Sequence, residues 1–355
     1  MQKKLIALAL ASLVSAPVFA QSQVSIFGII DQAVDSGNYG GTTGRVNRVT
    51  GSGLATERLG FQGSEDLGNG MKANFVLELG QLTDTGMLDS GATGQLFQRQ
   101  ANVGLSGSWG RVNFGRQYTP FFSIQAANNL MTFGGIGSNY ALTNIGVTRM
   151  NNSIRYDSAN MNGFSMAAMY SMGDTGTASS YQESAVDPKD QGRHTGLNVK
   201  YANGPLALGL GYSNQKSMAV VAPATAVVTK GTNVIGSYDF KVVKLMAGWQ
   251  TAKNDASPVT FDTRVWTLGA TIPVFGKDEV LIGYDSLKNK LASGADSKLL
   301  AVRYLHPLSK RTTLYGTWAQ MSNDGAAART LGGAPAVGAL GYDPSAVQVG
   351  INHKF

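Results

Sequence analysis

Apolar and polar positions alternate with a period of two along much of this chain. In residues 206–212, one face carries Leu206, Leu208, Leu210 and Tyr212, and the other carries only alanine and glycine. The same alternation recurs in residues 72–79, 279–285, 298–304 and 347–355, with Val76, Leu281 and His353 as exceptions. Because successive residues of a strand point to opposite faces, each segment predicts a strand with one apolar face.

Two architectures fit such strands, a soluble sandwich with its apolar faces inside and a membrane barrel with its apolar faces outside. The segments run about 9–11 residues, which is the length of a tilted membrane-spanning strand. Short connectors such as residues 203–204 alternate with long ones such as 119–151 and 322–344. Aromatic residues lie near segment ends, at Tyr156, Tyr170, Tyr201, Tyr212, Tyr238, Trp249, Tyr284 and Tyr304. These three features favour the barrel, with interfacial aromatic girdles, short periplasmic turns and long external loops.

The pattern predicts sixteen strands. They start near Gln23, Gly53, Gly70, Leu96, Arg111, Asn152, Gly163, Arg193, Pro205, Lys230, Val242, Thr260, Lys277, Ser297, Arg311 and Ser345. An even number puts both chain ends on the periplasmic side, and a barrel of this size leaves an aqueous channel instead of a filled interior.

The first twenty residues predict a secretory signal peptide. Lys3 and Lys4 precede an apolar run over residues 5–14, and Ala20 ends a small-residue cleavage site. The apolar run is about half of the roughly 20 residues that a membrane-spanning helix needs. Residues 21–355 then form a single barrel domain whose formal charge falls from +7 to +5 with the loss of the two lysines. The chain has no cysteine, so no disulfide framework holds this exported protein together.

Several stretches, in this order and spacing, resemble the general-diffusion porins of Gram-negative bacteria, especially the β-proteobacterial type. They are residues 24–31, the hairpin 58–73, residues 99–105 and 115–118, residues 151–156 and the terminal Phe355. The resemblance covers the whole chain after the signal and implies a 16-stranded antiparallel transmembrane β-barrel, usually a homotrimer. It also implies that the third loop, residues 119–151, folds into the pore and narrows it, and that Phe355 is a C-terminal assembly signal.

The resemblance further implies a pore constriction formed by wall arginines Arg58, Arg99 and Arg155 and by Thr132 and Phe133 of the third loop. Alternation puts the side chains of Arg58 and Arg155 on the lumen face, opposite their apolar neighbours. Simple alternation puts Arg99 on the lipid face, so a bulge intervenes there, or the face that carries Asn102 is not the lumen face, or the family assignment fails at this position.

The third loop departs from the family pattern, because Thr132 stands where an acidic residue is usual. No aspartate or glutamate occurs from residue 90 to residue 156, whereas five arginines do. Low-dielectric pore walls concentrate counter-ions, so a positive constriction favours anions. We therefore expect an anion-preferring pore.

The sequence thus predicts an outer-membrane channel for passive diffusion of small hydrophilic solutes and ions, in contact with outer-membrane lipid and lipopolysaccharide. No catalytic, cofactor-binding or metal-binding residues and no nucleic-acid partner are predicted. A substrate-specific channel for anions or sugars shares the fold and stays open as an alternative. A barrel enzyme is weaker, since the chain has three histidines and neither a G-x-S-x-G nor an H-E-x-x-H motif.

Overall fold

The computed structural model describes residues 23–40, 44–89, 95–143, 147–173, 192–218, 226–256 and 258–355. The predicted signal peptide, residues 1–20, lies outside these described residues. No helix within the described ranges is long and apolar enough to cross a membrane.

Most of the described chain is strand. The strands are β1 (Gln23–Asn38), β2 (Arg45–Gly51), β3 (Arg58–Gly68), β4 (Met71–Leu79), β5 (Gln81–Leu82), β6 (Met87–Leu88), β7 (Gln100–Gly107), β8 (Gly110–Tyr118), β9 (Arg149–Ser158), β10 (Phe164–Ser171), β11 (His194–Asn203), β12 (Leu206–Met218), β13 (Ala226–Asp239), β14 (Lys244–Asn254), β15 (Asp262–Pro273), β16 (Glu279–Asn289), β17 (Ser297–Pro307), β18 (Thr312–Asn323) and β19 (Ser345–Lys354). Two short helices, α1 (Pro120–Ala127) and α2 (Tyr140–Thr143), lie in the third loop.

The sheet closes on itself. Each wall strand pairs antiparallel with the next, and β19 returns to pair with β1 in the register Ile29↔Lys354 to Asn38↔Ser345. The strands β2 and β3 pair with successive halves of β1 and together count as one wall strand, whereas β5 and β6 form a separate small sheet. The described chain therefore forms the predicted closed barrel of sixteen strands, with no free edge.

The second wall strand differs from its prediction. We expected it to begin near Gly53, but it runs from Arg45 and is interrupted over residues 52–57. The buried Asp31 carboxylate holds this interruption, because it accepts hydrogen bonds from the backbone nitrogens of Gly53, Leu54 and Ala55 at 2.7–3.1 Å. A carboxylate that satisfies three backbone donors replaces the ladder bonds that the neighbouring strand would have provided.

The two faces of the barrel wall differ as the alternation predicts. One face exposes large apolar side chains in every part of the wall, for example Val103, Leu208, Trp266, Leu300 and Val349. The opposite face carries polar and small residues together with buried apolar side chains such as Leu281 and Leu299, and it contacts the third loop. The connections between strands are short at the end that carries Gln23 and Phe355 and long at the other end. The exposed apolar face is the surface that lipid covers in an outer-membrane barrel.

The third loop lies against the polar face of β11–β17. Thr119 caps α1 through a hydrogen bond from the Phe122 nitrogen to its hydroxyl, and proline occupies the first turn, as is common at helix starts. Wall amides then bind loop carbonyls, as in the bonds from Asn198 to the Pro120 oxygen (2.8 Å) and from Gln250 to the Thr143 oxygen (3.1 Å). The loop is thereby fastened to one side of the wall.

Candidate functional site

A cavity of about 600 Å³ lies between the third loop and the wall formed by β3, β7, β8 and β9. Its wall side carries four arginines and its loop side carries aromatic and small residues. The lining residues are Thr56, Arg58, Asp89, Arg99, Tyr118, Phe122, Ser123, Ala126, Phe133, Tyr140, Thr148, Arg149 and Arg155. All three predicted wall arginines and Phe133 are therefore brought together, although residues 58 and 155 are nearly a hundred positions apart.

Arg99 lies on the inner side of the wall, so the lipid-facing position given by simple alternation is wrong. The residue precedes the first residue of β7 and is not bound by the alternation of that strand. Its guanidinium is buried and donates to the Glu78 carboxylate at 2.5 Å and to the Tyr118 hydroxyl at 2.7 Å. A buried cation requires such partners, and they turn the side chain inward.

Arg58 and Arg155 reach the cavity from the lumen face, as predicted. Arg58 lies 3.9 Å from the Glu78 carboxylate, and its Nε donates to the Thr56 carbonyl at 3.0 Å. Arg155 makes a bidentate pair with Asp157 at 2.6 and 2.9 Å and also donates to the Tyr118 carbonyl at 2.7 Å. These bonds fix both guanidinium groups, so their charge is held in a set position.

Arg149 joins the cluster and was missed as a site residue by sequence reasoning. Its guanidinium donates to the Tyr118 hydroxyl at 2.8 Å and lies 4.5 Å above the centre of the same ring. Its Nε is buried without a partner among the described residues. The excess of arginine over residues 90–156 contained the signal, but the spacing did not show which of these arginines meet.

The loop side of the cavity is uncharged. Phe133 packs between Phe122 and Tyr140, with ring centres 4.7 and 5.3 Å apart. Thr132 instead points away from the cavity, because its hydroxyl donates to the Leu54 carbonyl. Its backbone has a φ of +61°, a region that a β-branched residue rarely adopts. Of the two predicted loop residues, only Phe133 lines the cavity.

The acidic partners of the arginines lie outside residues 90–156, the range that has no aspartate or glutamate. Glu78 belongs to β4, which pairs with β7 through Glu78↔Gln100, and Asp157 follows Arg155 by two positions on β9. Asp89 also lines the cavity. Four arginines thus face three carboxylates. The cluster keeps a net positive charge, but this charge is smaller than the composition of residues 90–156 predicted.

Arg303 of β17 binds the third loop to the barrel wall. Its side chain is fully buried and donates to the Met131 carbonyl at 2.6 Å, the Gly53 carbonyl at 3.0 Å and the Thr317 hydroxyl at 2.8 Å. One guanidinium therefore ties together the third loop, the interruption at residues 52–57 and the wall. No sequence pattern indicated this role, since the Met131 and Gly53 partners are distant in the chain.

His194 and Ser213 do not form a hydrolytic site among the described residues. His194 is buried with its Nε2 3.0 Å from the Ser213 hydroxyl, but its Nδ1 has no partner in the described chain. A serine–histidine pair that catalyses acyl transfer needs a carboxylate on the other ring nitrogen and an open approach to the serine. His194 and Ser213 instead satisfy each other inside the wall.

Phe355 lies at the seam where the barrel closes. Its backbone nitrogen and oxygen bond to the Gly28 oxygen and nitrogen, each at 3.1 Å. Its ring covers Gly28, where an added Cβ would come within 2.3 Å of the ring. The terminal residue therefore extends the pairing of β1 with β19 by one further step.

Comparison with known proteins agrees with this architecture. The family model described as Gram-negative porin matches residues 7–326. The chain is 35% identical to outer membrane porin protein 32 of Delftia acidovorans over 374 aligned residues, which cover all of both chains. It is 28% identical to an outer membrane porin protein of Bordetella pertussis, with 89% of this chain and 93% of that protein covered.

Solved structures of outer-membrane proteins also match this chain. The structure titled anion-selective porin from Comamonas acidovorans matches with a TM-score of 0.83 and 33% identity, covering 94% of this chain and 100% of that one. The trimer form of OmpT from Vibrio cholerae matches with a TM-score of 0.67 at 15% identity, which shows the shared fold alone. The closed sixteen-stranded wall, the loop fastened to its polar face and these matches together place the chain in the Gram-negative porin family, as an outer-membrane channel and not an enzyme.

Proposed function

We propose that this porin is a passive channel with a preference for anions, and that the arginine-lined cavity is its constriction. One observation carries the proposal: Arg58, Arg99, Arg149 and Arg155 converge on one cavity whose opposite, loop-formed side is uncharged. In this proposal the third loop narrows the pore, and permeating ions pass between Phe133 and the arginines.

The electrostatic argument depends on how the charges are distributed. Glu78 is almost fully buried behind Arg99, whereas Arg58 has a quarter of its side chain exposed to the cavity. Asp157 is more exposed than Arg155, but both also line a second polar cavity of about 510 Å³ nearer the short turns. Arg58 therefore presents more of its charge to a mobile ion than Glu78 does, and low-dielectric walls strengthen the field of the arginines along the pore.

Relatives support this assignment. The Comamonas acidovorans porin, titled anion-selective, is similar over nearly the whole chain. We also propose that the protein works as a homotrimer, with lipid around its apolar band and lipopolysaccharide at the end that bears the long loops.

The test is the reversal potential of the purified protein in a planar bilayer across a salt gradient. We expect an anion-side potential, and Arg58→Ala and Arg155→Ala should each lower the anion/cation permeability ratio by about twofold to threefold. This follows because a unit charge about 7 Å from a permeating ion in water contributes about 0.6 kcal/mol, which salt screening lowers to about 0.3 kcal/mol. The contribution has opposite signs for an anion and a cation, so the ratio changes by about 0.6 kcal/mol. Arg311→Ala, in an exposed short turn, is the matched control.

A cation-side potential in the wild type would overturn the anion preference but leave the channel. Unchanged ratios in both arginine variants would mean that the constriction lies elsewhere.

A substrate-specific anion channel is the second candidate, favoured by the Arg149 Nε, which has no partner among the described residues, beside the Tyr118 ring. Guanidinium groups bind phosphate and carboxylate oxygens in bidentate geometry. Such a channel would saturate, so phosphate or polyphosphate at millimolar concentration would block chloride current. Current that stays proportional to concentration would support general diffusion.

A further inference from the structure

The membrane-facing wall of β12–β16 contains an apolar groove of about 720 Å³ near the short turns, which we name the wall groove. Its floor consists of small residues, because Gly236, Ala247 and Ala270 occupy outward-facing positions of β13, β14 and β15. Its volume lies in the range of roughly 300–1,000 Å³ that is usual for small-molecule sites. Its sides consist of large outward-facing residues, which are Leu208, Tyr238, Leu245, Leu268, Ile282 and Tyr284.

The strand register brings the small residues together. Gly236 pairs directly with Ala247, and Ala270 follows one step nearer the turns on β15. Leu208 and Leu268 flank this pair in the same row. A Cβ added to Gly236 would lie 3.3 Å from the Leu208 side chain, so a larger residue there would fill the groove. The groove therefore results from residue size within a regular sheet and not from a gap between strands.

The wall groove lies within the periplasmic half of the membrane. Short turns mark the periplasmic end of an outer-membrane barrel. From Gly236 to Phe240, in the turn after β13, the chain covers about 13 Å along the strand. The hydrocarbon layer of one leaflet is about 15 Å thick. A chain that fills the groove must therefore come from the periplasmic leaflet, which consists of glycerophospholipid.

The apolar surface continues beyond the strand ends onto the two turns beside the groove. Phe240 and Val242 lie in the turn between β13 and β14, and Phe275 lies in the turn between β15 and β16. All three are exposed, and Phe275 is 84% exposed. The Phe240 ring lies 4.6 Å from the ring of Tyr238 at the side of the groove. Because contiguous exposed apolar surface marks a contact with membrane or protein, these turns extend the lipid-contacting surface to the level of the headgroups.

The same two turns each carry one exposed lysine, Lys241 and Lys277. The carboxylate next to Lys277 is occupied, because Asp278 accepts a hydrogen bond from the Tyr304 hydroxyl and lies 2.9 Å from the His306 Nδ1. The other charged residues at these strand ends alternate with lipid-facing neighbours and so lie on the lumen side, namely Asp239, Lys244 and Glu279. The mouth of the wall groove thus presents positive charge to the headgroup layer.

From the groove, its depth and its lysines we infer that the wall groove binds one glycerophospholipid of the periplasmic leaflet. An acyl chain fills the groove, and the phosphate lies at Lys241 and Lys277. Within lipid the driving force is packing, because a flexible chain restores the van der Waals contacts that the small floor residues leave unmade. The charge-assisted bonds from lysine to phosphate then fix the headgroup. This inference rests on the proposed lipid contact of the apolar band and assigns one binding position within it.

The test is native mass spectrometry of the purified barrel in detergent, titrated with palmitoyl-oleoyl phosphatidylglycerol. One phospholipid should stay bound at concentrations at which further copies do not. Ala247→Phe fills the groove and should lose most of this bound lipid. The matched control is Ala168→Phe, because Ala168 also faces outward, on β10, at a similar height above the short turns. The control should retain the lipid as wild type does.

The lysines are tested by changing Lys241 and Lys277 together to Gln. This variant should bind the phospholipid at least about tenfold more weakly, since each basic side chain near a lipid surface contributes about fivefold in affinity. The matched control changes Lys72 and Lys310 to Gln, which removes two exposed lysines near other short turns. It should stay within about twofold of wild type, because screened charges act over about 10 Å.

Two ligand comparisons use the wild-type protein and so do not depend on folding of any variant. Palmitoyl-oleoyl glycerol lacks the phosphate and dihexanoyl phosphatidylglycerol lacks the long chains, so both should bind far more weakly. Equal binding of either compound overturns the inference. Equal binding of bisphosphorylated lipid A, the lipid of the other leaflet, overturns it as well. Equal loss of phospholipid from A247F and A168F has the same consequence.

Oligomeric state and conductance separate this inference from the proposed function. If the wall groove were a subunit contact, A247F would dissociate a trimer on size-exclusion chromatography and A168F would not, which would overturn the lipid assignment. Single-channel conductance reports the pore independently. A conducting wild-type protein that retains no phospholipid would refute the wall groove as a lipid site and leave the channel intact.

Discussion

The buried Arg303 is the clearest place to test how the third loop is held. Changing Arg303 to Met keeps a long apolar side chain in the wall but removes the donors to the carbonyls of Met131 and Gly53. A hydrogen bond from a charged donor contributes about 1.5–3 kcal/mol, and a buried acceptor left alone costs a similar amount. The two carbonyls together make the loss about 3–6 kcal/mol, and the Met131 share of about 1.5–3 kcal/mol falls on attachment of the loop.

The Met131 share corresponds to an increase of about 10- to 10²-fold in the detached population of the loop, at tenfold per 1.4 kcal/mol. Amide hydrogen exchange reads this population directly, since local opening precedes exchange. Amides of residues 128–138 should exchange faster by that factor in R303M, whereas amides of β14 and β15 should not change. Single-channel records of R303M should show greater open-channel noise.

The exposed Arg311 provides the control, because R311M removes the same charge from a short turn. If loop exchange and channel noise in R303M equal those of wild type and R311M, the other wall contacts suffice. The reasoning that Arg303 is the main anchor would then be refuted.

Three other predictions concern different parts of the barrel. Glu78→Gln should raise the anion/cation permeability ratio, read from the reversal potential. It should also lower the melting temperature, because the buried Arg99 loses its counter-charge at 2.5 Å. An unchanged ratio would contradict the charge argument. The hydrogen bond that Tyr304 donates lowers the pKa of Asp278 below its usual 3.8, so its stabilising contribution is present above that pH and is lost as the pH falls through the lowered value. Melting between pH 3 and 6 should therefore show an acid-dependent loss that Asp278→Asn lacks, and parallel curves would refute it. Gly28→Val should displace the Phe355 ring and slow assembly of the heat-modifiable barrel more than Gly28→Ala does, whereas equal rates would show that the ring contact is dispensable.

The strand pattern and the wall of this barrel could be predicted from the sequence, because alternation is a local property. Side chains two positions apart share a face, so residues such as Leu206, Leu208 and Leu210 reveal a strand and its apolar side without any partner strand. Most predicted strand starts lie within a few residues of the observed ones. The exception is the second wall strand, where the distant Asp31 takes over the backbone donors of residues 53–55.

The arginine-lined cavity was only partly predictable. Alternation correctly gave the inward direction of Arg58 and Arg155, because both lie within regular strands. It failed for Arg99, since that residue precedes its strand and its direction depends on Glu78 and Tyr118, which are about twenty positions away in either direction.

The sequence by itself determined the membrane-facing band, the strand number and the surplus of arginine, because each is set by residue type and local spacing. Tertiary structure alone decided which charges meet. Closing the sheet brings Glu78 beside Arg99 and sets Lys230 opposite Lys253, and folding the loop back brings Met131 to Arg303. Electrostatic and hydrogen-bond energies depend on distances of a few ångströms between side chains remote in sequence, so they are fixed only by strand register and loop packing.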